Sequence, residues 1–409
     1  MSRLERLIAE LCPDGVKYAE FGNMCRYIRG ITYSKTQEAK SVDSKAWKVL
    51  RANNINLFTN TLNFEDVKLV SSEVKVREEQ KLKKGDILIC AGSGSKEHIG
   101  KSAYISKDME YTFGSFMAVI RCTKELNSRY LFYILTSGLF SKHLDTTLNT
   151  STINNLNAKV MSKFRFPLPP LPVQREIVRI LDKFTELTAE LTAELTARRK
   201  QYEYYRDLLL TMEDKPETKW MKLGEIADFR NGKGHEKAIA EDGKFIVVNS
   251  KFISTNGQVV KFTNQQISPL YIEDILIVMS DLPNGKALAK CFLVDENNRY
   301  TLNQRIGALR VKNKNIIDTK FLYYFLNRNR QLLKYDNGVD QTNLKKNEIL
   351  SVNIPIIPLK EQKRIVAILD RFDNLCNDLT SGIPAEIEAR RKQYEYYRDK
   401  LLTFKEAKA

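Results

Sequence analysis

Two stretches of the chain carry residue types that could hold a nucleotide or do chemistry. The first, Gly92-Ser93-Gly94-Ser95-Lys96-Glu97-His98-Ile99-Gly100-Lys101-Ser102, ends in the Gly-Lys-Ser of a phosphate-cradling loop. That loop needs a second glycine at position 95, and Ser95 stands there. The stretch therefore reads as a flexible basic loop suited to phosphate or base contact. The second, Asp281-Leu282-Pro283-Asn284, approaches the acidic/Asn-Pro-Pro-aromatic motif of amino-methyltransferases but lacks its second proline and its aromatic. No glycine-rich cofactor loop accompanies it. His98, His143 and His235 have no sequence neighbours that would build a catalytic triad or a metal site. The six cysteines (12, 25, 90, 122, 291 and 376) show no C-x-x-C or Cys/His ligand spacing. No catalytic residue and no metal ligand follows from these patterns. Unbridged buried thiols suit a reducing cytoplasm.

What remains is recognition, and the charge says of what. Lys and Arg number 66 against 50 Asp and Glu, a net charge of +16, which suits a polyanionic partner. At 409 residues, 43% of them hydrophobic, the chain suits two soluble domains. No apolar run reaches the roughly 20 residues of a membrane span, and the N-terminus is a charged amphipathic stretch, unlike a signal peptide.

The elements that must position such a surface are written twice. Ala197–Asp207 recurs letter for letter at Ala389–Asp399. Upstream of each copy, Pro172–Asp182 matches Leu359–Asp370. Shorter pieces keep the same order. Val16–Gly30 parallels Thr218–Gly232, each ending in a glycine turn before a basic loop. Val49–Ile55 resembles Phe245–Lys251, an apolar strand entering polar residues. Gly85–Ile89 matches Glu273–Ile277, and Tyr111–Arg121 matches Tyr300–Arg310, each read as one further strand. A helix around Tyr130–Leu135 pairs with one around Phe321–Leu326, and Ser151–Pro172 with Gln341–Pro358. The spacing predicts a tandem duplication: domain 1 over 1–170, a central helix over 171–212, domain 2 over 213–356 and a distal helix over 357–409. The expected class is α+β. Two tandem α/β domains with mixed β cores are separated by two long helices forming an antiparallel coiled-coil-like pair, with pseudo-two-fold symmetry.

The first helix runs from Gln174 to Thr211 without Gly or Pro, roughly 57 Å at 1.5 Å per residue. Ile177, Leu181, Phe184, Leu187, Leu191, Leu195, Tyr202, Tyr205 and Leu209 mark its apolar stripe. The second should break at Ser381-Gly382-Ile383-Pro384 and restart with Pro384 in a first turn. Thr188-Ala189-Glu190-Leu191 repeats at once as Thr192-Ala193-Glu194-Leu195. Each such unit adds about 6 Å to a helix, close to two base-pair steps.

The Pro-Leu-Pro-Pro-Leu-Pro-x-Gln-x-x-Ile-Val segment at 167–178, its partner at 355–366, the duplicated Arg-Arg-Lys-Gln-Tyr-Glu-Tyr-Tyr-Arg-Asp and the Thr-Ala-Glu-Leu units together resemble the specificity subunit of type I restriction–modification enzymes. The resemblance spans the whole chain and points to the branch in which the number of Thr-Ala-Glu-Leu units sets a spacer. It implies a non-catalytic, cytoplasmic subunit that reads an asymmetric bipartite target in double-stranded DNA, one domain per half-site. It implies as partners two copies of a modification (methyltransferase) subunit and, through the complex, restriction/translocase subunits, with no membrane. No cofactor belongs on this chain: S-adenosylmethionine would sit on the modification subunits, ATP and Mg on the restriction subunits. The competing reading is a structural scaffold that pairs two identical proteins without reading sequence.

Candidate contacts follow from residue type, since Arg and Lys pair with guanine, Asn and Gln with adenine, and other cations grip phosphate. In domain 1 these are Arg29, Lys35, Arg51, Asn53, Asn54, Lys96 and Lys101. In domain 2 they are Arg230, Lys233, Asn249, Lys251, Asn284, Lys286, Gln304 and Arg305. Arg51/Asn53 are matched to Val247/Asn249. The spacer is assigned to Thr188, Leu191, Thr192 and Leu195. Partner docking is assigned to Gln174, Arg198, Arg199, Tyr202 and Tyr205, and to Gln362, Arg390, Arg391, Tyr394 and Tyr397. Tyr204 and Tyr396 belong to the same segments. One face of each segment is expected to pack internally and the other to dock a partner, because Tyr and Arg are residues that interfaces favour.

Overall fold

The computed structural model describes residues 2–39, 46–148, 155–211, 218–235, 238–283, 285, 287–377 and 381–407. Its contacts divide the chain into two units, Met1–Thr192 with Glu386–Ala409, and Ala193–Ala385. The first opens with α1 (Arg3–Leu11), begun by a capping box in which Ser2 Oγ accepts from the Glu5 N–H and Glu5 accepts from the Ser2 N–H. There follow β1 (Tyr18–Glu20), α2 (Phe21–Met24), β2 (Cys25–Arg29), β3 (Trp47–Leu50), β4 (Lys68–Val70), β5 (Ile87–Cys90), β6 (Ser102–Tyr104), β7 (Tyr111–Phe113) and β8 (Met117–Cys122). After α3 (Ser128–Leu135), α4 (Gly138–Leu148) and α5 (Ala158–Ser162), β9 (Arg165–Pro167) pairs back to β1. Strands β2, β8, β5 and β6 make an antiparallel sheet in that order. Strands β4, β3 and β7 make a second sheet in which β3 and β7 are parallel.

The two-residue period of a strand explains why β5 reads as unbroken apolar sequence. Ile87 and Ile89 fill the core shared with α3, whereas Leu88 and Cys90 fill the core shared with the second sheet. Both faces are covered, so all four residues are buried. At the head of β5 the buried Asp86 accepts from Arg121 at 2.8 and 2.9 Å, one oxygen to each nitrogen. That pair ties β5 to β8 and raises the Arg121 pKa.

Helix α6 (Leu171–Leu210) is continuous over 40 residues. Pro172 lies in its first turn, where its missing N–H leaves no bond unmade. The second unit repeats the first: β10 (Lys219–Lys222), α7 (Leu223–Ile226), β11 (Ala227–Asn231), β12 (Ile239–Ala240), β13 (Phe245–Val248), α8 (Ser250–Ser254), β14 (Phe262–Thr263), β15 (Ile275–Val278), β16 (Ser280–Asp281), β17 (Cys291–Leu293), β18 (Tyr300–Leu302) and β19 (Ile306–Val311). It closes with α9 (Thr319–Leu326), α10 (Arg330–Leu333), β20 (Thr342–Asn343), α11 (Lys346–Leu350), β21 (Asn353–Ile356) and α12 (Leu359–Asn377). Here the antiparallel sheet is β11-β19-β15-β17, and the mixed sheet is β12-β14-β13-β18 with β13 parallel to β18. Ile275 and Ile277 again face one core while Leu276 and Val278 face the other, and buried Asp274 again holds Arg310, at 2.7 Å.

Helix α13 (Ile383–Leu401) begins after the expected break, with Pro384 in its first turn. Each unit carries an aromatic pair that joins two long helices. In the second unit Tyr205 of α6 stacks on Phe372 of α12, centroids 5.7 Å apart and planes at 26°. In the first, Tyr397 of α13 stacks on Phe184 of α6 at 5.6 Å and 25°. In the second unit Arg199 reaches the Cys376 carbonyl while Tyr202 and Tyr205 meet Phe372, so ascending residues of α6 face descending residues of α12. That is antiparallel packing. Each unit thus takes one part of α6 and one part of the distal helical region, a different division from four consecutive segments.

The structure corrects one element. Tyr111–Arg121 and Tyr300–Arg310 are each two strands in two different sheets, not one. Turns at 114–116 and 303–305 join them, closed by the Met117 N–H to the Gly114 oxygen at 2.8 Å and the Ile306 N–H to the Asn303 oxygen at 3.0 Å.

Candidate nucleic-acid interface

Those two turns matter because each forms one wall of a cleft. In domain 1 a cleft of ≈ 590 Å³ is lined by Tyr33, Lys35, Arg51, Asn53, Ser93 and Phe116, among others. In domain 2 a cleft of ≈ 730 Å³ is lined by Asn249, Lys251, Asp281, Leu282, Arg305 and Gln341, among others. The walls correspond: the end of the parallel strand, the turn after β5 or β15, and the turn at 114–116 or 303–305. Glycines permit that approach. A Cβ on Gly30 would lie 2.1 Å from the Gly114 oxygen, and one on Gly232 would lie 2.1 Å from the Asn303 oxygen.

Strand register fixes which residues correspond. Lys48 pairs with Tyr111 and Ile246 with Tyr300, so Arg51 is equivalent to Asn249 and Asn53 to Lys251. The sequence match of Arg51/Asn53 with Val247/Asn249 was two residues out. Two alternating apolar strands look alike at any even shift, because a two-residue slip keeps every side chain on its own face. Val247, at 1% exposure, is core. By the same register Phe116 is equivalent to Arg305. Phe116 is 67% exposed. Sequence reading missed it because the turn was hidden inside a supposed strand.

Of the nominated cations and amides, the structure brings Lys35, Arg51 and Asn53 to the first cleft and Asn249, Lys251 and Arg305 to the second. Lys233 and Gln304 are exposed, Lys233 bridging to Asn303 in the turn that walls the second cleft. Arg29 ends β2 half-buried, with Nη1 3.5 Å from Asn155 Oδ1. Three nominations are corrected by their bonding. Asn54 is wholly buried; its Oδ1 accepts from the Arg51 N–H at 2.9 Å and its Nδ2 donates to the Asn63 and Asp66 oxygens. Lys101 donates to the Ala52 carbonyl at 2.8 Å, and burial lowers its pKa. Arg230 donates to buried Asp274 at 3.1 Å and to the Pro269 oxygen at 2.8 Å. All three build the domain and are spent on protein groups. Asn249 also caps α8, its Oδ1 accepting from the Phe252 N–H at 2.9 Å. The side chain of Lys96, and Asn284 and Lys286, lie outside the described residues.

Asp66, which residue type did not suggest, does not line the cleft but holds two residues that do. Its Oδ2 accepts from Arg51 Nη2 and from Asn53 Nδ2, both at 2.8 Å. His235 is core: Nδ1 lies 2.8 Å from the Lys233 oxygen and Nε2 2.9 Å from Thr301 Oγ1. Among the described residues no group of His, Cys, Asp and Glu is placed to hold a metal ion. No described helix is long and apolar enough to cross a membrane.

On the long helices, Gln174 and Gln362 are completely buried, which corrects their assignment to partner docking. Gln174 Oε1 accepts from the Asn127 N–H at 2.8 Å, and its Nε2 donates to the Glu125 and Pro169 oxygens. Gln362 does the same with Asp318, Ile316 and Ile357. Asn127 and Asp318 are the N-caps of α3 and α9, so each glutamine sets the start of a core helix. A second duplicated anchor sits about two turns along. Asp182 accepts from Tyr133 and Arg129, and Asp370 from Tyr324 and Lys320. Tyr202 (9% exposed) and Tyr394 face their domain cores, which corrects them as docking residues too. Arg199 donates to Cys376 across the helix pair, whereas Arg391 pairs with Glu388 on its own helix. Arg198 and Arg390 bridge Glu194 and Glu386 one turn back. Tyr205 and Tyr397 are half covered by their stacking partners, while Tyr204 and Tyr396 stand out at 65% and 62% exposure. Of the spacer residues, Thr188 and Thr192 bond back to the Phe184 and Thr188 carbonyls, and Leu191 and Leu195 are half-buried.

The duplicated scaffold matches known proteins. The family model for the type I restriction modification DNA specificity domain matches twice, at residues 13–198 and 216–389. The chain belongs to the type I restriction–modification specificity family. The specificity subunit of the type I enzyme EcoR124I/EcoR124II from Escherichia coli is 36% identical over 298 residues, 68% of this chain and 70% of the relative. A chain from a structure on complex assembly and conformational transition of the type I R-M system shares the fold at TM-score 0.58 and 16% identity, covering 95% of this chain and 98% of that one. The crystal structure of a type I S subunit from M. genitalium shares it at TM-score 0.51 and 15% identity, covering 95% and 96%. A specificity subunit is the recognising, non-catalytic member of its system, and the fold is the expected pair of mixed α/β domains with long helices.

Proposed function

We propose that this chain reads an asymmetric bipartite sequence in double-stranded DNA, the first cleft taking one half-site and the second the other. The observation that carries the reading is one cleft built twice at one register and lined differently each time: Lys35, Arg51, Asn53 and Phe116 against Asn249, Lys251 and Arg305. Equivalent frames with different reading groups suit two different half-sites. The scaffold alternative requires no such cleft.

The duplicated helical segment is assigned to two copies of a modification subunit. Its inward tyrosines, Tyr202 and Tyr394, are used by the domain cores, while Tyr204 and Tyr396 are left outside at nearly equal exposure. Core packing gives no reason to keep the outer residues identical; two identical partners do. S-adenosylmethionine then belongs to those partners, ATP and Mg to restriction/translocase subunits recruited through them, and the site of action is the cytoplasm. Thr188–Leu195 is assigned the role of spacer.

Genome-wide methylation mapping in a host carrying this chain and its modification subunit tests the reading, repeated after deletion of Thr192–Leu195. A bipartite motif whose spacer shortens while both half-sites persist supports reader and ruler. Unchanged spacing removes the ruler alone, and no motif at all returns the scaffold.

A further inference from the structure

A carboxylate is a poor choice for a surface that meets phosphate, yet one beside the first cleft is bonded to two of the residues that line it. Asp66 is well exposed, its side chain at 71%, and lies in the turn before β4. Its backbone is not free to move away, because the wholly buried Asn54 donates to the Asp66 carbonyl at 3.1 Å. Its side chain gathers the two strongest reading groups of the cleft: Arg51 and Asn53 both converge on Oδ2. Among the described residues, none donates to Oδ1. One acceptor and several N–H donors therefore stand side by side, aimed by a shared bond.

Resting on the bipartite-reader function, we infer that Asp66 is a specificity-determining residue of the first domain, accepting a hydrogen bond from the N4 amino group of a cytosine. The major-groove edge of a C·G pair offers that donor beside the O6 and N7 acceptors of guanine. Asp66 and Arg51 present the complementary acceptor and donors. The same carboxylate rejects pairs that turn an acceptor toward it, such as the O4 of thymine, since two facing acceptors repel and displace water without replacing its bonds. The second cleft achieves its reading without this device: the residues equivalent to Arg51 and Asn53 are Asn249 and Lys251, and its arginine comes from the opposite wall as Arg305. The first half-site should thus contain a C·G pair whose identity depends on Asp66, while the second is indifferent to it.

The test is methylation mapping with the full chain and its modification subunit, comparing the parent with Asp66→Asn and Asp66→Ala. Both variants should keep the second half-site and the spacer. In the first half-site one C·G position should become degenerate, with methylation of other pairs at that position rising roughly ten-fold or more. Asp66→Asn, which keeps shape and can read adenine, should admit A·T there. Thermal melting of the purified complex is measured alongside. Methylation that fades at all sites with unaltered melting makes Asp66 an affinity residue and overturns the inference. So does a motif identical to the parent's, or a parental first half-site with no C·G pair. If Asp66→Ala melts early, Asp66→Asn decides alone. A parent with no bipartite motif is a failure of the functional reading itself, visible before any variant is made.

Discussion

The exposed tyrosines give the prediction with the most direct arithmetic. Tyr204 and Tyr396 occupy the same place in the two copies of one eleven-residue segment and are 65% and 62% exposed. A tyrosine carries on the order of 200 Å². Covering the exposed part of one removes about 120 Å² from water, or about 3 kcal/mol at 25 cal/mol per Å². Ordering and desolvation at an interface absorb part of that. A net loss of about 1.5–2 kcal/mol per site is expected, which is roughly 10- to 30-fold in Kd. Neither ring is needed for the fold. Among the described residues the rings meet their neighbours at one edge, Tyr204 on Tyr205 at 5.5 Å and Tyr396 on Tyr397 at 5.3 Å, and Lys400 Nζ lies over Tyr396 at 5.9 Å. Tyr204→Ala should therefore leave melting within about 0.5 kcal/mol of the parent while weakening one of two binding events for the modification subunit. Tyr396→Ala should weaken the other, and the double variant both. Titration followed by mass photometry counts bound copies directly. If both single variants and the double variant bind within two-fold of the parent, the outward face is not the docking surface. If either single change weakens both events equally, the idea of two independent sites is wrong.

Three further outcomes follow from the buried contacts. Gln174→Ala strips a bonding partner from the Asn127 N–H and from two carbonyls, at about 1–3 kcal/mol for each group left unpaired. Allowing for water entry, a loss of about 3 kcal/mol is expected, read as a lower urea midpoint for the first unit with the second unaltered. Gly30→Ala places a methyl against the Gly114 oxygen, so the turn at 114–116 must shift. Methylation should then lose the first half-site specificity and keep the second. Asp373 is raised above the usual carboxylate range by burial and by the neighbouring Asp370 charge, with Asn377 opposing. A carboxyl whose folded-state pKa is raised favours the fold when protonated and disfavours it as pH rises through that value. Asp373→Asn should therefore raise the urea midpoint at pH 7.5, with the gain shrinking as pH falls through the carboxylate range.

The helices and the duplication were legible because identical residues leave no ambiguity of register. The break before Pro384 was legible because Gly and Pro have few conformational choices. The clefts were harder. Residue type nominated Arg51, Lys101 and Arg230 alike, and the place of the bonded partner separates them: Lys101 ties down the Ala52 carbonyl and Arg230 neutralises the buried Asp274, while Arg51 lines the cleft and pairs with the exposed Asp66. Gln174 and Gln362 looked like surface residues because their polarity gives no hint of three buried partners apiece. Asp66 escaped notice because acidic residues are discounted near DNA, although a base edge offers donors as well as acceptors. Phe116 was concealed because its turn, Gly114-Ser115-Phe116, lies between two apolar runs that read as one strand, and the equivalent turn in domain 2, Asn303-Gln304-Arg305, has neither glycine nor proline to mark it.

The first unit is sealed by residues that lie far along the chain. Leu402 is wholly buried in its core, the Val16 N–H donates to the Lys405 oxygen at 2.9 Å, and the Ala407 N–H returns to the Val16 oxygen at 2.9 Å. Arg165 meets Glu406 at 2.6 Å, and Tyr18 donates to the Phe404 carbonyl at 3.1 Å. Domains usually fold as units in the order of their synthesis. Here the first unit must wait, with an open edge at Val16 and an uncovered apolar floor, until residues 402–407 have been made. Translation at 5–20 residues per second over the roughly 240 residues between β9 and this segment makes that wait about 12–48 seconds. The part most in need of a chaperone during synthesis is therefore the first unit, and a ribosome that stalls in the second leaves behind two incomplete structures, not one finished and one missing.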